Sequence, residues 1–400
     1  MQRKLSELLP DDKIALSSYI RNEGDELVFF KVVIDATIKF TNHSIQFNGK
    51  TYDYNIINST SQTKQRLIFE NCKFKEEIEI IEANQPSFNF KKCAIKSILF
   101  KNYSKLEKQA NFSFSGTPID TLTIKDSKFG GKFYINDIKS ESLEYTKIKK
   151  IEITNSEFSE NFKLHDCQVE SIEVNNVDFL KNADFYRSHF LQESPIVLKA
   201  INFQSLALFG ECKFHSKFIL EFVSFRNLTH FREAEFLKGL DLDKTNIEKE
   251  INFYGAKGLE NSEYISQETY RIIKYNCQKI ANQIEANKYH ALELKKRKEA
   301  LIKGNFFDYI VFYFNWHSSR FSTNWGLSLF WIIITGIITT LLIHLFVGYV
   351  NDLKDTFKYM SILTADECIK ANPLIFMFNK TALGYLYYQL VTSIRKDTRK

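Results

Sequence analysis

Proline, glycine and cysteine are scarce in this chain of 400 residues, which contains only 5, 14 and 6 of them. So few prolines and glycines argue against long flexible linkers. The cysteines form no C-x-x-C pair and the 8 histidines are scattered, so no metal site with zinc spacing is expected. The N-terminal run MQRKLSELLPDDK has no apolar segment after its basic residues, which predicts that there is no cleavable signal peptide.

Motifs of enzyme chemistry are missing as well. The chain contains no Gly-rich phosphate loop, no G-x-S-x-G, no H-E-x-x-H and no kinase signature. The irregular stretch 101–120 is the one obvious place where a polar cluster could interrupt the surrounding pattern, and its residues predict an insertion loop. We therefore expect no enzyme activity and no cofactor.

A repeat of large apolar residues, alternating between five and six residues, runs through the middle of the chain. Each large residue is preceded, two positions earlier, by another apolar or small one. Side chains two positions apart on a strand share a face, so both are expected to point inward. Self-similarity at a fixed short period predicts a solenoid. Between 196 and 253 the large residues are Leu198, Phe203, Phe209, Phe214, Leu220, Phe225, Phe231, Phe236, Leu242, Ile247 and Phe253.

The repeat extends upstream to residue 67. Leu67 and Cys72 recur 21 residues later as Phe88 and Cys93. Four short faces per turn then predict a coil of about 20–22 residues. The sixth residue at alternate steps predicts bulged or widened corners. Residues 1–66 are expected to form an N-terminal cap or irregular first coils, and their loose matches are Val28-x-Phe30, Val32-x-Ile34 and Ile38-x-Phe40.

Four cysteines occupy the small inward position of the repeat. They are Cys72, Cys93, Cys167 and Cys212. This placement predicts buried thiols that serve as spacers, and it predicts no structural disulfide.

These paired positions resemble the pentapeptide-repeat family, whose coils form a right-handed quadrilateral β-helix. The resemblance covers about 67–258 and implies a β-solenoid, followed by a C-terminal α-helical membrane region. Segments 268–301 and 383–396 resemble the helical linker and last helix of bacterial pentapeptide-repeat membrane proteins. Some relatives carry a two-helix, channel-like module, which implies a pore. The connecting segment 351–372 contains no T-x-G-Y-G-like run, so a potassium-selective filter is not supported.

The C-terminal third changes in character. A helical linker with a basic end is predicted over 259–304, and an aromatic interfacial helix over 305–317. The basic run is either a solvated helix end or a contact with anionic lipid headgroups. Together with basic residues at the end of the chain, the candidate headgroup contacts are Lys295, Lys296, Arg297, Lys298, Arg395 and Lys396.

A transmembrane helix is predicted over 326–350. Its segment from Leu327 to Val350 contains His344 as the only ionisable group. At about 1.5 Å per residue it exceeds the roughly 30 Å hydrocarbon core. A second span over 374–394 would carry Lys380 inside it, so a re-entrant or interfacial helix is the alternative. With two spans, both basic flanks lie on one side, which predicts a bacterial inner-membrane protein whose β-helix and termini are cytoplasmic.

Polar and small residues in the two spans are the candidate functional positions. His344, Lys380 and Gln389 are candidates for pore-lining or interhelical roles, because polar groups inside a membrane are commonly functional. A face of small residues predicts close helix packing and a homo-oligomer, and it consists of Thr335, Gly336, Thr339 and Thr340.

Three functions are compatible with this organisation. The first is a membrane-anchored scaffold or sensor, whose solenoid binds an unknown cytoplasmic protein. The second is an oligomeric channel-like or pore-forming effector, for which stress response and phage defence are the suggested roles. The third is a DNA mimic acting on gyrase, as for some pentapeptide-repeat proteins. Segment 67–258 contains 27 Lys and Arg against 28 Asp and Glu, so it lacks the dense negative charge of a duplex, and no nucleic-acid partner is expected.

Overall fold

The computed structural model describes the chain apart from residues 1–2, 5–19, 24–25, 31, 35–36, 41–43, 48–49, 54–65, 82–86, 106–109, 137–144, 261–263, 302–305, 349–352, 364–366, 371 and 399–400. Two compact units are present, Met1–Ile265 and Ser266–Lys400. The first is a parallel β-solenoid of about 8 turns, and the second is helical, so the predicted fold class is confirmed.

Strands of the first unit are labelled in chain order. They are β1 Arg3–Lys4, β2 Ile20–Glu23, β3 Glu26–Phe30, β4 Val32–Ile34, β5 Ile38–Phe40, β6 Ser44–Phe47, β7 Lys50–Asp53, β8 Arg66–Glu70, β9 Lys73–Ile81, β10 Ser87–Lys91, β11 Ala94–Lys101, β12 Ser104–Lys105, β13 Phe112–Ser115, β14 Ile119–Lys125, β15 Lys128–Phe129, β16 Phe133–Ile135, β17 Thr146–Phe158, β18 Phe162–Leu164, β19 Cys167–Phe179, β20 Ala183–Asp184, β21 His189–Phe190, β22 Ile196–Phe203, β23 Ala207–Leu208, β24 Lys213–Phe214, β25 Phe218–Phe225, β26 Thr229–His230, β27 Glu235–Phe236, β28 Leu240–Ile247 and β29 Ile251–Asn252.

Helices of the second unit are labelled in the same way. They are α1 Gln267–Lys279, α2 Gln283–Leu301, α3 Phe306–Ser319, α4 Trp325–Val347, α5 Leu353–Tyr359, α6 Glu367–Lys370 and α7 Pro373–Thr398.

Successive coils of the solenoid pair in parallel and in register. Phe69 pairs with Phe90, Phe90 with Phe114, Phe114 with Ile135, and Ile135 with Leu164. These partners are 21, 24, 21 and 29 residues apart, so the predicted coil of about 20–22 residues is too short for several turns. The register is maintained because the coils lengthen between the strands.

Phenylalanine rings at equivalent positions stack along the solenoid. Phe185, Phe209 and Phe231 are stacked with ring centroids 4.7 and 4.9 Å apart, close to the spacing of neighbouring strands. Phe253 continues the stack at 5.5 Å. Burial of each ring contributes about 1.5–3 kcal/mol, and the ring contacts add to that.

The small inward residues fill space and also donate hydrogen bonds to main-chain carbonyls inside the solenoid. The Ser188 hydroxyl donates to the Leu164 carbonyl at 2.6 Å, and the Cys212 thiol donates to the Phe185 carbonyl at 2.9 Å. Both side chains are buried, and burial raises the pKa of the Cys212 thiol, which therefore stays protonated as a donor. All four repeat cysteines are buried and free, as predicted. Serine, threonine and cysteine recur here because they satisfy interior carbonyls.

Left-handed residues form the tight corners. Ala200, Glu211, Phe222 and Glu233 have φ between 53° and 56°, and each lies inside a five-residue step. The sequence instead predicted distorted corners at the six-residue steps. The five-residue step is shorter, so a left-handed residue is what turns the chain sharply enough there.

The solenoid begins earlier than residue 67. Leu27 and Phe29 pair with Leu67 and Phe69, and the rings of Phe29 and Phe69 stack at 4.8 Å. The predicted pair Val28-x-Phe30 is therefore wrong by one residue. The other two matches are in register, because Ile34 pairs with Phe74, and Ile38 and Phe40 pair with Ile78 and Ile80.

Stretch 101–120 is not an insertion loop. It contains β12 and β13, and Phe112 and Phe114 stack on Phe88 and Phe90 at 5.4 and 5.0 Å. Residues 106–109 lie outside the described residues. The F-S-F spacing in this stretch carried the inward-pair signal, and the polar residues before it concealed that signal.

The predicted helical linker is two helices. α1 and α2 are separated at Ala281, whose φ is 58°, and they pack as an antiparallel hairpin around Glu293. This carboxylate accepts from Lys274 at 2.7 Å and from Arg271 at 3.1 Å. Burial opposes its ionisation, but the two hydrogen bonds hold the pKa of Glu293 below its usual value.

Candidate functional site

The two longest helices of the second unit, α4 and α7, lie antiparallel. Ile343 packs against Ile375 near one end, and Ile332 packs against Leu383 and Leu386 further along. Among the described residues, α4 is the one helix that is long and apolar enough to cross a membrane. It ends at Val347, three residues before the predicted end, because Gly348 takes a left-handed conformation with φ of 73°.

Helix α5 runs back along α4 instead of away from it. The hydroxyls of Thr340 and Thr356 are 3.1 Å apart. Beyond this contact, a Cβ placed on Gly336 would lie 2.5 Å from Met360 Cγ and 3.3 Å from the Thr356 carbonyl oxygen. Gly336 is the middle residue of α4. After α4 ends, α5 therefore runs back beside α4 as far as its midpoint before the chain turns. We call 353–363 the re-entrant segment.

Three side chains of α7 hold the carbonyl end of α5. Asn379 Nδ2 donates to the Tyr359 carbonyl at 3.0 Å, and Lys380 Nζ donates to the Ser361 carbonyl at 3.0 Å. The last carbonyls of a helix have no partner inside it and carry partial negative charge. Tyr387 completes this group by donating to the Met360 carbonyl at 3.1 Å. We call Asn379, Lys380 and Tyr387 the α5 clasp.

The clasp changes the interpretation of Lys380. The sequence predicted a pore-lining or interhelical role for it. In the structure its ammonium donates a hydrogen bond to a main-chain carbonyl of the re-entrant segment. Its neighbour Asn379 is fully buried and also donates to the Thr339 hydroxyl at 2.9 Å. The polar residues of α7 therefore join it to both α5 and α4.

Gln389 is an interhelical residue. Its Oε1 accepts from the hydroxyls of Ser319 at 2.8 Å and Ser322 at 3.0 Å, and its side chain is buried. These bonds join the end of α7 to the end of α3 and the turn after it.

His344 lies on the exposed side of α4 and is not a member of the clasp.

The face of small residues is occupied within the chain. Thr339 is fully buried and bonded to Asn379, Thr335 is buried, and Gly336 and Thr340 contact the re-entrant segment. The close helix packing predicted for this face therefore occurs within one chain, where α5 and α7 cover it.

The turn after α5 exposes apolar residues deep along the helix pair. Ile362 Cδ1 lies 3.7 Å from the position that a Cβ on Gly384 would take, at the level of Leu383 and Ile332. Leu363, next to it, is 91% exposed. Helix α6 then returns to the level of Ile343, against which Ile369 packs. Tyr359 of α5 and Ile369 of α6 therefore belong to the same cluster around Ile343.

The basic run at the end of α2 lies against the aromatic residues of α3. Lys295 and Lys298 lie over the Trp316 ring, 6.0 and 5.1 Å from its centroid, and Arg297 lies 5.3 Å from that of Phe312. Lys296 instead pairs with Glu299 at 3.4 Å. Of the two predicted positions at the chain end, Arg395 is exposed and Lys396 donates to the Phe321 carbonyl at 3.4 Å.

Comparison of the chain with models of protein families, with curated proteins and with solved structures finds no match. The re-entrant segment was not predicted. A signal for it exists in the apolar residues of the segment between the long helices, such as Phe357, Tyr359 and Ile362, but it is too short to exceed the signal of an ordinary loop.

Proposed function

We propose that this protein is an oligomeric, channel-like membrane protein, in which the re-entrant segments of several copies surround a water-filled path. The observation that carries the proposal is the position of the turn at Met360–Leu363 beside the middle of α4. The solenoid would then be a cytoplasmic domain of pentapeptide-repeat type attached to this membrane module.

The proposal requires α7 to cross the membrane beside α4. Helix α7 has 26 residues, against 23 in α4, and contacts α4 from Ile375 to Leu386. If α4 crosses the membrane, the part of α7 from Ile375 to Leu386 lies at the same membrane depth as the part of α4 that it contacts. Lys380, Gln389 and the Nδ2 group of Asn379 have partners within the protein, which lowers the cost of placing them in hydrocarbon. Asn379 Oδ1 is buried and has no hydrogen-bond partner among the described residues.

Non-helical backbone at membrane depth supports an oligomer. Main-chain groups cannot be hydrogen-bonded by lipid tails, so such backbone is tolerated only where protein covers it or where it lines a water-filled cavity. In one chain the side chains of Leu363 and Ile362 are 91% and 41% exposed. We infer that other copies and enclosed water provide the missing environment.

The clasp argues against a filter built from the carbonyls of residues 359–361. Each of them already accepts a hydrogen bond from α7, and a potassium filter needs carbonyl oxygens that can replace the hydration shell of the ion. The residues that follow are the apolar Ile362 and Leu363. We therefore propose a weakly selective path with an apolar constriction.

Ion flux into sealed vesicles tests the proposed function. The purified full-length protein is reconstituted, and potassium, sodium and chloride fluxes are compared with those of protein-free vesicles, while its mass in detergent gives the number of copies. We expect flux of more than one ion and an assembly larger than a monomer. A monomer that passes none of the three ions would support the alternative, a membrane-anchored scaffold whose solenoid binds a cytoplasmic protein.

A further inference from the structure

We infer that Lys295, Arg297, Lys298 and Lys396, here called the basic cluster, bind the phosphate headgroup of an anionic membrane phospholipid. This inference rests on the proposed membrane insertion, and it does not depend on whether the protein conducts ions.

The cluster is assembled from two helices that are distant in the chain. Asn287 of α2 donates to the Lys396 carbonyl of α7 at 3.3 Å, which joins the two helices. The Lys396 ammonium reaches Phe321, whose ring lies 5.5 Å from that of Trp316. Lys295 and Lys298 lie over the same Trp316 ring, so the Phe321–Trp316 contact connects the cations of α2 with the cation of α7.

The carboxylate that acts on Lys298 is that of Glu299, and it is paired with Lys296. In the part of the chain that the structure describes, none of the four forms an ion pair, whereas the adjacent Lys296 pairs with Glu299. Their contacts are with ring faces and one carbonyl, which leave ammonium and guanidinium hydrogens available to an anion. Cations whose donor hydrogens remain available in this way suit a phosphodiester.

Helix α3 favours a lipid as the source of that phosphate. Its Phe312 and Trp316 side meets the cations, while another side exposes Phe307, Val311 and Phe314. An exposed apolar face next to unpaired cations is the arrangement of a helix that lies in the headgroup region of a membrane. Acyl chains would cover the apolar face, and the headgroup would reach the cluster.

Native mass spectrometry of the full-length protein in detergent tests the site. Phosphatidylglycerol and phosphatidylcholine with identical acyl chains are added in equal amounts, and bound molecules are counted. We expect the unaltered protein to prefer phosphatidylglycerol. In a triple variant with Lys295→Gln, Lys298→Gln and Lys396→Gln, this preference should fall by about fivefold for each of the lysines removed. The same charge loss in the exposed solenoid lysines, Lys199→Gln, Lys238→Gln and Lys249→Gln, should leave the preference unchanged.

Two further measurements separate the effect of charge from misfolding and separate a lipid from free phosphate. A triple arginine variant at Lys295, Lys298 and Lys396 keeps the charge, so it should retain the preference even if the glutamine variant folds poorly. Inorganic phosphate at millimolar concentration should not displace the lipid. Equal binding of both lipids by the unaltered protein, loss of the preference in the arginine variant, or displacement by inorganic phosphate would each overturn the inference.

Discussion

Replacing Gly336 by leucine is expected to abolish ion flux and to detach the re-entrant segment from α4. A Cβ at this position already approaches Met360 Cγ to 2.5 Å and the Thr356 carbonyl oxygen to 3.3 Å, and leucine adds three more carbons. Overpacking of this kind costs about 1–3 kcal/mol, and here the backbone of α5 must move. Flux into vesicles measures the functional effect, and hydrogen exchange over 353–363 measures the detachment.

Gly326 provides the matched control, because it lies on the same helix and a Cβ there would meet only Asn324 Oδ1 at 3.5 Å. Gly326→Leu should therefore keep both the flux and the exchange protection. Normal flux in Gly336→Leu would contradict the proposal that the position of α5 defines the path.

Replacing Phe209 by alanine is expected to destabilise the solenoid by about 3–5 kcal/mol. Its ring is buried and lies between those of Phe185 and Phe231, so truncation removes two stacked contacts and leaves a cavity in the column. Each coil is stabilised mainly by its neighbours, so the loss should extend beyond one turn. The measurement is the urea midpoint of the β-sheet circular dichroism signal.

Phe222→Ala is the control for that change. Phe222 belongs to the neighbouring coil and is 59% exposed at a left-handed corner. Its loss should alter stability by no more than about 0.5 kcal/mol. Equal effects of the two substitutions would mean that the stacked rings do not determine the stability of the solenoid.

The solenoid could be predicted from the sequence because its signal is repeated many times. An error at one coil, such as the one-residue shift at Val28-x-Phe30, does not change the fold when the other coils agree. Stretch 101–120 was missed because polar residues precede the Phe112-x-Phe114 pair. The left-handed corners carry a sequence signal only in part. Asn71, Asn155 and Asn176 are of a residue type that favours this conformation, whereas Ala200, Glu211 and Phe222 are not.

The second unit was harder to predict because its central feature is a tertiary contact. Hydropathy identified α4, and it left α7 ambiguous because Asn379, Lys380 and Gln389 count as polar whether or not the protein satisfies them. Their partners are carbonyls at 359–361 and hydroxyls near residue 320, which are distant in the chain. For the same reason the sequence did not show that the small-residue face packs against the re-entrant segment of its own chain.

The most direct measurement is the reaction of a cysteine at position 363 with a membrane-impermeant maleimide in sealed vesicles. Leu345→Cys is the lipid-facing control, and the unaltered protein gives the background reaction. Leu345 is also well exposed, on the outer side of α4. We predict that Leu363→Cys reacts and that its ion flux falls as it does, because the turn faces water inside the oligomer, while Leu345→Cys stays unreactive. A cysteine at 363 as unreactive as the one at 345, with unchanged flux, would contradict the proposed water-filled path.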